Sequence, residues 1–163
     1  HAAEEIKKNR YKCEFLVLGS IDGNNKSNVS IKLIERFHNN KIIKYLGYKE
    51  DIRPILKKID VVVLPSYREG TSHSLLEACS MGRPIISTNI PGNHDILIEN
   101  YNGFTCVQKN VSSLINVIKK FLKLSYEKKM NLGINARTLI EKKFDEKIVI
   151  EKYNNIVEKI LVK

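Results

Sequence analysis

Residues 60–89 read DVVVLPSYREGTSHSLLEACSMGRPIISTN. The stretch opens on one apolar run, Val61 to Leu64, and closes on a second around Ile85 and Ile86. Between them lie a polar loop around Gly70 and a helical pattern, SHSLLEACSM (72–81), stopped by Gly82 and Pro84. Glycine and proline just past a helix are its usual C-terminal punctuation. Two strands joined through a helix suit a parallel pair with the helix packed across it.

The same alternation extends outward. EFLVLG (14–19), KIIKYLG (41–47) and GFTCV (103–107) join DVVVLPS (60–66) and PIISTN (84–89) as five β-type runs. Their centres are nearly continuous in Val, Ile and Leu, which marks strands covered on both faces. Helical patterns at SNVSIKLIERFHNN (27–40) and EDIRPILKKI (50–59) separate them. The expected fold class is α/β, a Rossmann-like parallel sheet with helices on both faces. After Val107 the strands stop and helical stretches follow at 111–124, 125–144 and 145–162. The last aligns Ile148, Val149, Tyr153, Ile156, Val157, Ile160 and Leu161 on one stripe, which must bury itself against this domain or another.

A chain of 163 residues, 42% hydrophobic and 28% charged, suits one globular domain with a real core. No apolar run approaches the roughly 20 residues of a membrane span, and no secretory pattern opens the chain. Cys13, Cys79 and Cys106 stand apart without C-x-x-C spacing, which predicts reduced thiols and a cytoplasmic setting. The histidines His1, His38, His73 and His94 show no ligand spacing, so no metal is expected. The net charge is +10, and residues 109–163 hold thirteen Lys or Arg against six Asp or Glu. Such a surface attracts nucleotide phosphates, anionic lipid or nucleic acid. Most of these lysines fall on polar helix faces, and no aromatics interleave with them to stack bases, so nucleic acid is not expected as a partner.

Ligands of parallel α/β sheets bind beyond the C-terminal strand ends. The loops to watch are therefore Gly19–Gly23, Gly47–Lys49, Ser66–Ser72 and Asn89–His94. Thr71 or Ser72 can cap the helix that follows, leaving free amides from Gly70 to His73 as an anion site. Glu69 lies just before that site and Glu77 between one and two turns into the helix. Eight positions span about 12 Å when fully helical. That is too far for an acid/base pair on one bond, but right for gripping two ends of an extended polar ligand. Glu77 can hold a ribose diol, Glu69 can face a sugar, and the helix N-terminus can take the phosphates between. The plainer alternative keeps Glu77 as a surface glutamate or the capping-box partner of Ser74, and Glu69 as the counter-charge of Arg68.

LPSYREGTSHSLLEACSMGRPIISTNIPGNHDILIENYNGFTC resembles the nucleotide-binding, C-terminal half of group 1 (family 4) retaining glycosyltransferases of the GT-B type. EFLVLGSIDG, IKYLGYKEDIRPILKKIDVVVLPS and EKKFDEKIVIEKYNNIVEKIL are similar to the flanking segments of those enzymes. The form SYREGTSHSLLEA resembles bacterial enzymes that build lipid-linked oligosaccharides and capsules. The resemblance implies roles residue by residue. Glu69 is the catalytic candidate, facing the donor sugar, and Glu77 binds the ribose. Gly70, Thr71, Ser72 and His73 meet the diphosphate, His73 standing where relatives often carry arginine. Gly47 and Tyr48 lie near the base, and Gly19 and Gly23 form the floor of the cleft. It also implies a domain over 1–140 and an amphipathic helix over 141–163 that packs on an N-terminal, acceptor-binding domain. No metal or other cofactor is implied. Asp95 is expected to open a helix.

The resemblance further implies a first strand ending in Gly-Arg, followed by a lysine, and nothing before Phe15 matches it. The expectation is a fragment whose first strand is missing. The strand at 14–18 then pairs with 60–65, leaves a gap, or borrows a strand. The implied function is donor binding for a hexosyltransferase (EC 2.4) that moves a sugar from a UDP-sugar to a glycan or lipid-linked acceptor, with peripheral contact to an anionic inner membrane face. The rivals are a non-catalytic nucleotide or phosphosugar binder and a basic membrane-surface module.

Overall fold

The computed structural model describes residues 1–21 and 29–161. The chain runs α1 (Ala2–Lys8), β1 (Leu16–Leu18), α2 (Ile31–Asn39), β2 (Lys44–Gly47), α3 (Arg53–Leu56), β3 (Val62–Leu64), α4 (His73–Ser80) and β4 (Ile85–Thr88). A 3-10 turn (Pro91–Asn93), β5 (Gly103–Cys106), α5 (Val111–Leu122), α6 (Tyr126–Lys143) and α7 (Glu146–Leu161) follow. Every strand pairing is parallel. All five expected strands form, each with a shorter hydrogen-bonded core than its apolar run.

Two apolar layers sandwich the sheet, and the strand pleat divides side chains between them. Ile85 joins Leu75, Ala78, Cys79, Ala136 and Ile140 on the side of α4 and α6, with Val62 and Leu64 against them. Ile86 joins Ile6, Phe104, Ile118 and Phe121 on the side of α1 and α5, with Val61 and Val63 packed there. Alternate residues of β3 and β4 thus serve opposite faces, which is why the runs read as continuously apolar. The helices on both faces meet the expected fold class.

The sheet is interrupted. β1 pairs with β2, β3 with β4 and β4 with β5, while β1 and β3 belong to separate sheets. Of the three arrangements open to strand 14–18, this is the gap. Phe15 still packs in the same layer as Val61 and Val63, so side chains connect what the backbone does not.

Three expectations need correction. No helix opens at Asp95: residues after the 3-10 turn form turns, and Asp95 is exposed. Asn102 explains this, because its side chain replaces helical partners. Its Oδ1 accepts from Ile98 N at 2.8 Å and its Nδ2 donates to Ile96 O at 2.7 Å. The expected helix over 50–59 contracts to α3, with Pro54 in its first turn, where a proline is tolerated. The terminal helix starts at Glu146, since residues 141–143 complete α6. α7 buries none of its side chains, and its stripe stands open, Tyr153 at 67% and Leu161 at 78% exposure. Among the described residues no helix is long and apolar enough to cross a membrane.

Candidate functional site

Within each sheet the strands run parallel, so their C-terminal ends share an edge, and the candidate site is built from the loops at those ends. Between β3 and α4 the chain turns through Ser66–Ser72. Ser66 Oγ donates to Glu69 Oε1 at 2.6 Å, so this half-buried carboxylate is held rather than free. Ser72 is the N-cap of α4, its hydroxyl accepting a long bond from Leu75 N at 3.5 Å. Ser72 is buried at 3% exposure, whereas Thr71 is exposed, which settles which of the two caps the helix. The amides of His73 and Ser74 lie in the first turn, where a helix supplies no internal acceptors. With the dipole they make a site for negative charge. A Cβ placed on Gly70 would meet nothing within 4 Å, so the backbone there is open to a ligand.

Glu77 is the fifth residue of α4 and is exposed. Since α4 begins at His73, Ser74 sits inside the helix and the capping-box reading of Glu77 does not hold. Glu69 before the helix and Glu77 about 6 Å along its axis leave the amides between them.

The β1 and β2 loops meet as a pair. Gly19 N donates to Gly47 O at 3.1 Å, and Tyr45 Oη donates to Gly19 O at 2.8 Å. Gly19 and Gly47 both take positive φ, +138° and +68°, with open space where a side chain would stand. Tyr48 projects beside them at 70% exposure. Gly23 lies outside the described residues.

Several residues at this edge carry no local signal. Thr88 Oγ1 donates to Ser66 O at 2.5 Å, Ser87 Oγ donates to Leu64 O at 2.7 Å, and Asn93 Nδ2 donates to Ser87 Oγ at 2.8 Å. The loop after β5 also arrives: Gln108 Nε2 donates to Tyr67 O, and the Lys109 ammonium stands 5.5 Å from the Tyr67 ring centroid. Lys109 therefore brings a cation towards the Glu69 turn that lay outside the loops singled out in the sequence. Two concavities elsewhere, about 480 Å³ against His1, Glu4 and Lys119 and about 330 Å³ against Lys120, Lys128 and Asn131, do not touch either glutamate. Position at the strand ends favours the open edge over these hollows as the binding site. Among the described residues no group of three or more His, Cys, Asp or Glu is placed to hold a metal ion.

The parallel sheets with helices on both faces make a Rossmann-like α/β fold, and solved structures share it. Anabaena HepE in complex with UDP superposes with a TM-score of 0.79 at 19% identity, over 100% of this chain and 45% of that one. Sucrose-phosphate synthase from Thermosynechococcus elongatus superposes at 0.81 and 18% identity, over 99% of this chain and 42% of that one. The family described as glycosyl transferases group 1 matches residues 1–139, and the chain belongs to it. Among curated relatives, N,N'-diacetylbacillosaminyl-diphospho-undecaprenol alpha-1,3-N-acetylgalactosaminyltransferase of Campylobacter jejuni is 32% identical, over 92% of this chain and 38% of that protein. UDP-Gal:alpha-D-GlcNAc-diphosphoundecaprenol alpha-1,3-galactosyltransferase of Escherichia coli is 36% identical, over 64% of this chain and 27% of that protein. The chain thus spans well under half the length of these relatives.

Proposed function

We propose that this chain is the donor-binding domain of a retaining glycosyltransferase in glycan or cell-surface polysaccharide synthesis, taking a UDP-sugar and passing the sugar to a lipid-linked or glycan acceptor. The observation that carries the reading is the run of first-turn amides at the start of α4, flanked by the held carboxylate of Glu69 and the exposed one of Glu77. The diphosphate docks on the amides around Gly70–His73, Glu77 accepts from the ribose hydroxyls, and Tyr48 with Gly47 and Gly19 borders the base. Glu69 faces the anomeric carbon. As the sugar–phosphate bond breaks, positive charge grows at that carbon beside the carboxylate, and negative charge grows on the departing diphosphate. Preorganised N–H donors meet the second charge, so the proposed chemistry runs without a metal ion. The E. coli relative's name specifies UDP-Gal, and HepE was solved with UDP, which supports uracil as the base.

Glu77→Ala tests the reading. A lost hydrogen bond to a charged group is worth about 1.5–3 kcal/mol, hence about a tenfold to hundredfold loss of UDP affinity by calorimetry. An unchanged melting point must accompany it. Unchanged UDP affinity rejects the ribose role.

We also assign the exposed stripe of α7 to contact with an acceptor-binding domain rather than to a bilayer. Lys147, Lys152 and Lys159 are balanced by Glu146, Glu151 and Glu158, so α7 lacks the basic excess that holds a helix on anionic lipid. The free thiols of Cys13, Cys79 and Cys106 support a cytoplasmic setting. Co-sedimentation with phosphatidylserine vesicles that is lost on removing residues 146–163 would reverse the assignment.

A further inference from the structure

Gly92 lies in the 3-10 turn after β4, and a Cβ on it would fall 2.0 Å from Gly70 O and 2.2 Å from Glu69 O. Both are backbone atoms and cannot rotate aside. The φ of Gly92 is outside the left-handed region, so alanine suits the backbone there and only the neighbouring turn forbids it. The Gly92 turn is itself anchored. Asn93, 1% exposed, donates to Ser87 Oγ at 2.8 Å and Thr88 O at 3.3 Å. Thr88 Oγ1 holds Ser66 O at 2.5 Å, and Ser66 Oγ holds Glu69 Oε1 at 2.6 Å. The Glu69–Gly70 turn is therefore fixed from two sides, by hydrogen bonds through Thr88 and Ser66 and by direct contact with Gly92.

We propose that Gly92 is a positioning residue that sets where the Glu69–Gly70 turn stands, and through it the diphosphate and sugar end of the donor site. The consequence for ligand rests on the donor-binding reading above; the placement of the turn does not. A methyl group at residue 92 must push the turn outward, because closely packed backbone leaves no void to absorb it. The base and ribose end, on Tyr48 and Glu77, lies off that turn and stays in place.

The test is Gly92→Ala in the full 163-residue chain, read by amide nuclear magnetic resonance and by binding of UDP and of UMP. The expected result is that the largest amide shifts outside the substituted loop fall at Glu69, Gly70 and Thr71. UDP affinity should drop at least about tenfold, about 1.4 kcal/mol, while UMP affinity changes less than about threefold, a selectivity that general destabilisation does not produce. Shifts confined to residues 89–96, or equal loss of both nucleotides, overturn the proposal. Should the wild-type chain bind neither nucleotide, the donor-binding reading fails, and the amide shifts still decide whether Gly92 places the turn. Should Gly92→Ala not fold, Thr88→Val removes the hydroxyl on Ser66 O and must move the same amides; no movement there overturns the proposal.

Discussion

Cys79 has 0% exposure, in the layer between α4 and the sheet, and burial pushes its thiol up to about 12. Burial raises Cys13 and Cys106 as well. The native protein should therefore leave Cys79 unlabelled by iodoacetamide at pH 8.5, with full labelling in guanidinium. Rapid native labelling would contradict its burial. The sign of the pH effect follows. The folded thiols ionise later than the unfolded ones, whose ordinary value is 9.0, so their contribution is intact below about pH 9 and lost as pH rises towards 12. Urea midpoints measured from pH 8 to 10.5 should fall over that window. At this scale the placement of Glu69 before α4 and of Glu77 within it was legible, because their spacing around Gly70 is local. Ser66, Thr88 and Asn93 were not, since the bond from Thr88 to Ser66 joins residues 22 positions apart and leaves no trace in either neighbourhood.

Among the elements, α4 carries the most chemistry and was the easiest to read. SHSLLEACSM has an N-cap candidate, apolar residues at helical period and a glycine stop. Backbone geometry chose Ser72 as the cap, with ψ at 107° before the helix turns in. Ser72→Ala should cost about 1 kcal/mol in urea unfolding, towards the lower side for a 3.5 Å bond. The loss should be accompanied by weaker UDP binding, because the same cap orders the open amides. No change in either quantity would show that the cap is idle. The segment after Asp95 was misread for a physical reason. Its apolar residues Ile96 and Leu97 are buried as a helix would bury them, but Asn102 captures the backbone groups a helix needs.

The whole molecule is a split sheet with two apolar layers, and α7 adds no buried side chain to either. A chain ending at Asp145 should therefore melt within about 2–4 °C of the intact one, the shift expected for no more than about 1 kcal/mol. A larger fall would mean that α7 holds this domain together. Mixed with UDP-sugars and lipid-linked acceptors, the 163-residue chain should show no sugar transfer. The donor loops stand on one open edge, and an acceptor needs a facing wall to bring its hydroxyl to the anomeric carbon. Turnover by this chain alone would place the acceptor site within it.

Period and punctuation determined the parallel α/β class, the five strand cores and the loop and helix start that hold the two glutamates, because each depends on residues within a few positions of one another. Tertiary structure decided the rest: which hydroxyl caps α4, where the sheet breaks, that α7 stays uncovered and that Gly92 lies against Glu69 and Gly70. Those outcomes depend on contacts between segments far apart in the chain, where a single atom's clearance or one hydrogen bond outweighs local preference.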